Sequence, residues 1–161
     1  MLVTFLRHAT AEDRSLALPD AERALTEKGE KQVKRLAAFC KNNQLVPAAI
    51  YCSPLLRAQQ TARQLQVQLP DCPSVETADW LGIAASPQTI IAELGKLSDQ
   101  GKDDIWLVGH EPDFSETIGQ LLSANGDSIV IKKGSLTRLD ADFSGQPTAT
   151  LLWSIPCSLM R

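Results

Sequence analysis

Residues 105–112 read Ile-Trp-Leu-Val-Gly-His-Glu-Pro, and the fold class turns on how this stretch is interpreted. Ile105-Trp106-Leu107-Val108 is a short continuous apolar run of the kind that forms a buried strand in a parallel sheet. Gly109-His110 ends the run. Glu111-Pro112 then opens a helical pattern in which Phe114, Ile118, Leu121 and Leu122 fall on one face. A buried strand that turns directly into a helix is the repeating unit of α/β domains. The same arrangement recurs upstream, where the strand Leu2–Leu6 runs into Arg7-His8 and the strand Ala48–Cys52 runs into Ser53-Pro54.

The segments between these strands carry helix signals. Thr26 is placed to cap a helix over 27–42, with Val33, Leu36, Ala37 and Cys40 on its apolar face. Lys31, Lys34 and Arg35 lie around its polar side and read most simply as a solvated face. Ser53-Pro54 reads as an N-cap followed by a first-position proline for a helix over 55–69, which Pro70–Pro73 ends. Ser86-Pro87 repeats that signal before a helix over 88–97. Residues 12–22 form a polar loop. Leu136–Leu139 and Thr148–Ser154 are two further strands, separated by a turn over Asp142–Pro147. The expected fold is α/β, a single domain over residues 1–161 with a mostly parallel central sheet flanked by helices.

Composition narrows the function. A chain of 161 residues with 43% hydrophobic and 22% charged residues can build one self-sufficient core. A net charge of −3 leaves no electrostatic footprint for nucleic acid or an anionic membrane. The apolar N-terminal run lacks a basic region and a cleavage site, so a cytoplasmic location is expected. The four cysteines lack metal-type spacing and read as reduced thiols. There are only two histidines, a poor ligand set for a catalytic metal, so neither metal nor cofactor is expected.

Both histidines follow a strand and lie near a helix start, and Arg57 sits in the first turn after strand two. Carboxyl ends of strands are where open α/β sheets bind ligands. Arginine presents a planar cationic fork suited to phosphate oxygens, and helix N-termini near Pro54 and Pro112 add backbone donors. An imidazole beside such an arginine can attack phosphorus, and a second, protonated histidine can stabilise charge on the moving phosphoryl group. The nucleophile's other ring nitrogen must be held in one tautomer, most simply by a backbone carbonyl. Cys52 also lies near this region, but reads as a buried structural thiol.

These residues bring the chain to a family resemblance. Arg7-His8-Ala9 resembles the Arg-His-Gly signature of the histidine phosphatase superfamily, which includes the phosphoglycerate mutases. Arg23-Ala24-Leu25-Thr26 with Gly29, Ser53–Ala58 with Gln60-Thr61-Ala62, and Val108–Pro112 follow in the family's order. The short form, with Trp153 and Pro156-Cys157 near the end, is similar to the SixA-type phosphohistidine phosphatases. The resemblance implies a phosphoglycerate mutase-like fold in a minimal form without a large cap. It also implies that His8 is the nucleophile, with Arg7, Arg57 and His110 completing a phosphate pocket.

Two departures bear on the chemistry. Ala9 replaces the signature glycine, which a negative φ would tolerate. The general acid of many family members has no clear counterpart: Trp80 takes its place, leaving Asp79 and Glu12 as candidate acids, each with a solvated loop carboxylate as its alternative. A phosphohistidine leaves as an imidazole and demands less acid catalysis than an alkoxide. The interval from Arg57 to His110 also holds too many elements to leave material for a lid. Both points favour a phosphohistidine-bearing protein as substrate; a monomer is expected. The alternatives are a small-molecule phosphomonoesterase or mutase of the same superfamily, and a non-catalytic phosphoryl-binding module.

Overall fold

The computed structural model describes all 161 residues. Strands β1 (Leu2–Arg7), β2 (Ala49–Cys52), β3 (Val75–Thr77), β4 (Asp104–Gly109), β5 (Leu136–Asp142) and β6 (Thr148–Ile155) form one sheet in the order β3-β2-β4-β1-β5-β6. The first four in that order pair in parallel, while β5 and β6 are antiparallel. The strand at 105–108 therefore lies inside the sheet, where both of its faces are covered. Ile105 and Leu107 project into one core and Trp106 and Val108 into the other, as the two-residue strand period requires.

Helices α1 (Glu27–Asn42) and α2 (Leu56–Gln68) cover one face of the sheet; α3 (Pro87–Asp99) and α4 (Asp113–Leu121) cover the other. On the first face Leu6, Val33, Leu36, Leu65 and Trp106 pack together. On the second, Phe5 meets Phe114 edge to face, with ring centroids 5.1 Å apart. Two of the expected caps form. Thr26 accepts from Gly29 N at 3.2 Å, and Ser86 accepts from Thr89 N at 3.1 Å. No helix is long and apolar enough to cross a membrane.

The third expected cap does not form. Helix α2 begins at Leu56 without a side-chain cap, two residues past Pro54. Ser53 Oγ accepts from Leu55 N at 3.3 Å and also lies 2.7 Å from His110 Nε2 across the sheet. The hydroxyl is thus shared between a local amide and His110, the residue just past the end of β4. Helix α4 likewise starts at Asp113 rather than within Glu111-Pro112. The short strand β3 is an addition to the expected elements.

Strand register places the chemistry. Arg7 pairs with Gly109 and Cys52 with Val108, so β1, β4 and β2 end at one level. The ladder continues one step further: His8 N donates to Gly109 O at 3.0 Å and Ser53 N to Val108 O at 2.9 Å. His8, His110 and Ser53 therefore leave the sheet side by side. Gly29 secures the other flank, because a Cβ there would collide with the backbone of Thr10, two residues beyond His8.

Candidate active site

Arg7, His8, Arg57 and His110 meet at the carboxyl edge of the sheet and line one cleft of about 550 Å³. The His8 and His110 rings lie 5.1 Å apart, tilted by 55°. His8 Nδ1 is 2.7 Å from Ala9 O, an acceptor, so Nδ1 carries the proton and Nε2 keeps its lone pair. The Ala9 peptide is held in turn, its N–H donating to Thr61 Oγ1 at 3.1 Å while that hydroxyl donates to Arg57 O at 2.7 Å. Ala9 is buried and is not among the residues with positive φ, so its methyl is accommodated.

Arg57 is 3% exposed. Its Nε donates to His8 Nε2 at 3.3 Å, while Nη1 and Nη2 donate to Asp20 O at 2.8 Å and Asp20 Oδ2 at 3.1 Å. Asp20 also pairs with Arg23 at 2.8 Å, so the polar loop over 12–22 is pinned across the arginine rather than hanging free. Arg7 donates Nη1 to Ile131 O at 2.8 Å, and its buried Nε has no protein partner. Ser53 Oγ already accepts from Leu55 N and can give its own hydrogen to His110 Nε2. In that tautomer the proton of His110 sits on the buried Nδ1, which also lacks a protein partner. An oxyanion between these groups would meet two uncommitted donors and two guanidinium charges.

Burial and the surrounding cations set the protonation states. Burial, followed by the Arg57, Arg7 and Lys133 charges, pushes His8 down to about 4 against the Ala9 hydrogen bond. Burial, then the charges of His8 and Arg57, pushes His110 down to about 3. Both rings are therefore neutral in the free protein at neutral pH. The protonated second histidine expected during phosphoryl transfer is therefore not a property of the free protein; it requires a bound dianion to draw the proton there. With just two histidines the consequence is easy to read. The two imidazole Cε1–H resonances should show no titration between pH 8 and 5.5, and inorganic vanadate should move at least one midpoint upward into that range. Midpoints near 6.5 in the free protein would contradict the buried, cation-flanked site.

Asp79 and Glu12 do not join the cleft. Both are exposed and neither is among its lining residues. Glu12 accepts from Ala24 N at 3.1 Å, and Trp80, next to Asp79, packs against Tyr51 with ring centroids 6.0 Å apart. The carboxylates in the wall are Glu111, Asp113 and Glu116. Burial, reinforced by Glu116, pushes Asp113 up to about 6. Sequence reasoning missed these groups because they sit on the far side of His110, although Glu111-Pro112 stood in the decisive stretch itself. Arg14 and Lys133 complete the rim and carried no sequence signal. Cys52 is inert, its thiol pushed up to about 12 by burial.

Known proteins share the family profile and the fold. The sequence profile described as the histidine phosphatase superfamily (branch 1) matches residues 3–82. An uncharacterized protein of Picosynechococcus sp. (strain ATCC 27264 / PCC 7002 / PR-6) is 33% identical over 143 residues, spanning 86% of this chain and 84% of that protein. Among solved structures, the protein histidine phosphatase SixA complexed with tungstate superposes with a TM-score of 0.89 over 100% of both chains, at 22% identity. The alpha-ribazole phosphatase from Shigella flexneri gives 0.71 over 94% of both chains, at 21% identity. These structural likenesses are of fold, and they span protein and small-molecule phosphatases alike.

Proposed function

Given that the chain belongs to the histidine phosphatase superfamily, we propose that it is a phosphatase working through a covalent phosphohistidine on His8, with phosphohistidine in a protein as its substrate. The observation that carries this reading is the His8 ring itself. Its Nδ1–H is held by Ala9 O, and its unprotonated Nε2 sits beside the Arg57 guanidinium in a cation-lined cleft.

In the first half-reaction Nε2 forms a bond to phosphorus as the phosphorus–nitrogen bond of the substrate breaks, and the departing imidazole nitrogen takes a proton from solvent, which the attacking water of the second half-reaction returns. The Arg57 Nε–H that meets His8 Nε2 in the free protein then serves a phosphoryl oxygen, as do Arg7 Nε–H and His110 Nδ1–H. In the second half-reaction water attacks phospho-His8, releasing orthophosphate and restoring the neutral ring. The guanidiniums supply the charge neutralisation, so activity should survive EDTA.

One observation favours a second reading, a small-molecule phosphomonoesterase. Asp113, pushed up to about 6, lines the cleft and is a candidate proton donor for an alkoxide. A substrate panel separates the two. Turnover should be fastest on histidine-phosphorylated protein and slower on sugar phosphates and phosphoglycerate, and Asp113→Asn should leave the phosphohistidine rate within about threefold. Preference for the small esters, with a large loss in Asp113→Asn, would favour the second reading.

A further inference from the structure

The cleft around His8 continues into a second cationic surface. Arg7 and Lys133, which line it, also line a neighbouring cleft of about 300 Å³ with Lys28 and Lys132. That cleft shares Lys28, Gln32 and Lys132 with a third, of about 690 Å³, which reaches Lys31 and Arg35. The shared walls make one groove, running from the active-site mouth along α1 opposite the C-terminal turn at Cys157–Leu159. Lys28 to Arg35 covers about 10 Å of helix.

The charge along this groove is one-sided. Lys28, Lys31, Arg35, Lys132 and Lys133 contribute to its walls, while its one acid, Glu27, is already paired with Lys31 at 2.6 Å. The other four cations have no carboxylate within salt-bridge distance. In a chain of net charge −3 this is a segregated patch, not the mixed charge of an ordinary solvated face.

The groove is also tied rigidly to the site. Gln32 Oε1 accepts from Thr10 N at 2.8 Å, and Gly134 N, next to Lys132 and Lys133, donates to Arg7 O at 3.0 Å. Gly134 has φ +71°, and its Cα face lies in van der Waals range of Cys157 and Gln32, where a Cβ would stand 3.4 and 3.6 Å from their Cβ atoms, so the lysine turn is seated against α1. Lys133 also helps hold the His8 ring neutral.

We infer that this groove docks an acidic face of the phosphorylated protein substrate, guiding its phosphohistidine into the cleft. The inference rests on the proposed phosphoprotein substrate. The expected partner carries carboxylates to one side of its phosphohistidine, spaced to meet Lys28, Lys31 and Arg35.

Two synthetic peptides of equal length test it, each with one phosphohistidine introduced by phosphoramidate, one flanked by glutamates and the other by serines. At low ionic strength kcat/KM should favour the glutamate peptide by about tenfold or more, and the preference should vanish near 0.5 M salt. Lys31→Glu/Arg35→Glu should abolish the preference while leaving the serine peptide and p-nitrophenyl phosphate unchanged; Lys31→Gln/Arg35→Gln gives the milder version should the reversal disturb α1. Equal rates on the two peptides, or a preference that survives both double variants, would overturn the docking surface while leaving the phosphohistidine reading intact. Failure to hydrolyse either peptide, with sugar phosphates turned over normally, would instead overturn the substrate reading and the docking surface with it.

Discussion

His8→Ala is expected to lose at least about 10⁴-fold in kcat on any phosphoryl substrate, while still binding vanadate or phosphate. The magnitude follows from removing the covalent path: about 5 kcal/mol of barrier reappears when the nucleophile is lost and water must attack directly. Anion binding survives because its donors lie elsewhere. Arg7 Nε and His110 Nδ1 are independent of the His8 ring, and Arg57 stays anchored through Asp20. The substitution should also raise the midpoint of His110, because His8 is one of the charges that depress it. Loss of turnover together with loss of all oxyanion binding would point to a collapsed site rather than a missing nucleophile.

Arg57→Ala should be the next largest effect, lowering kcat/KM by about 10²–10³-fold, equivalent to about 3–4 kcal/mol of transition-state stabilisation. Here kcat and phosphate affinity should fall together, since the guanidinium serves both the bound anion and the moving phosphoryl group. A spectroscopic signature accompanies the loss. Arg57 is one of the positive charges that depress His8, so its removal should move the His8 midpoint upward from about 4. Lysine should rescue poorly, because a point charge cannot address His8 Nε2, the Asp20 carbonyl oxygen and Asp20 Oδ2 in the way the planar fork does. Unchanged vanadate binding in Arg57→Ala would contradict its place in the pocket.

How far the molecule could be read in advance depended on where the information resides. Buried strands announce themselves through continuous apolar runs, so β1, β2 and β4, and the residues at their ends, were legible. The limits of α1 were legible because Thr26 has a local partner, Gly29 N, and caps are local chemistry. Ser53 misled for the opposite reason: its hydroxyl is shared with His110, 57 positions away in sequence. Strand β3 has three residues, only Val75 among them apolar, and owes its existence to pairing with β2. Asp20 was illegible as a partner of Arg57 because a polar loop gives no sign of where it will fold back. The acid question shows the same limit. Sequence order pointed to Asp79 and Glu12, but the walls of the cleft are drawn from Glu111, Asp113 and Glu116, which the turn after β4 brings beside His110.

The claim on which all of this depends is that His8 Nε2 takes the phosphoryl group. Brief reaction with a radiolabelled phosphohistidine substrate, followed by a denaturing quench, tests it most directly. The expected result is label on the protein that is stable to base and labile to acid, maps to the peptide containing His8, and is absent from His8→Ala. Turnover with no such label at any quench time, or label on a residue other than His8, would contradict it.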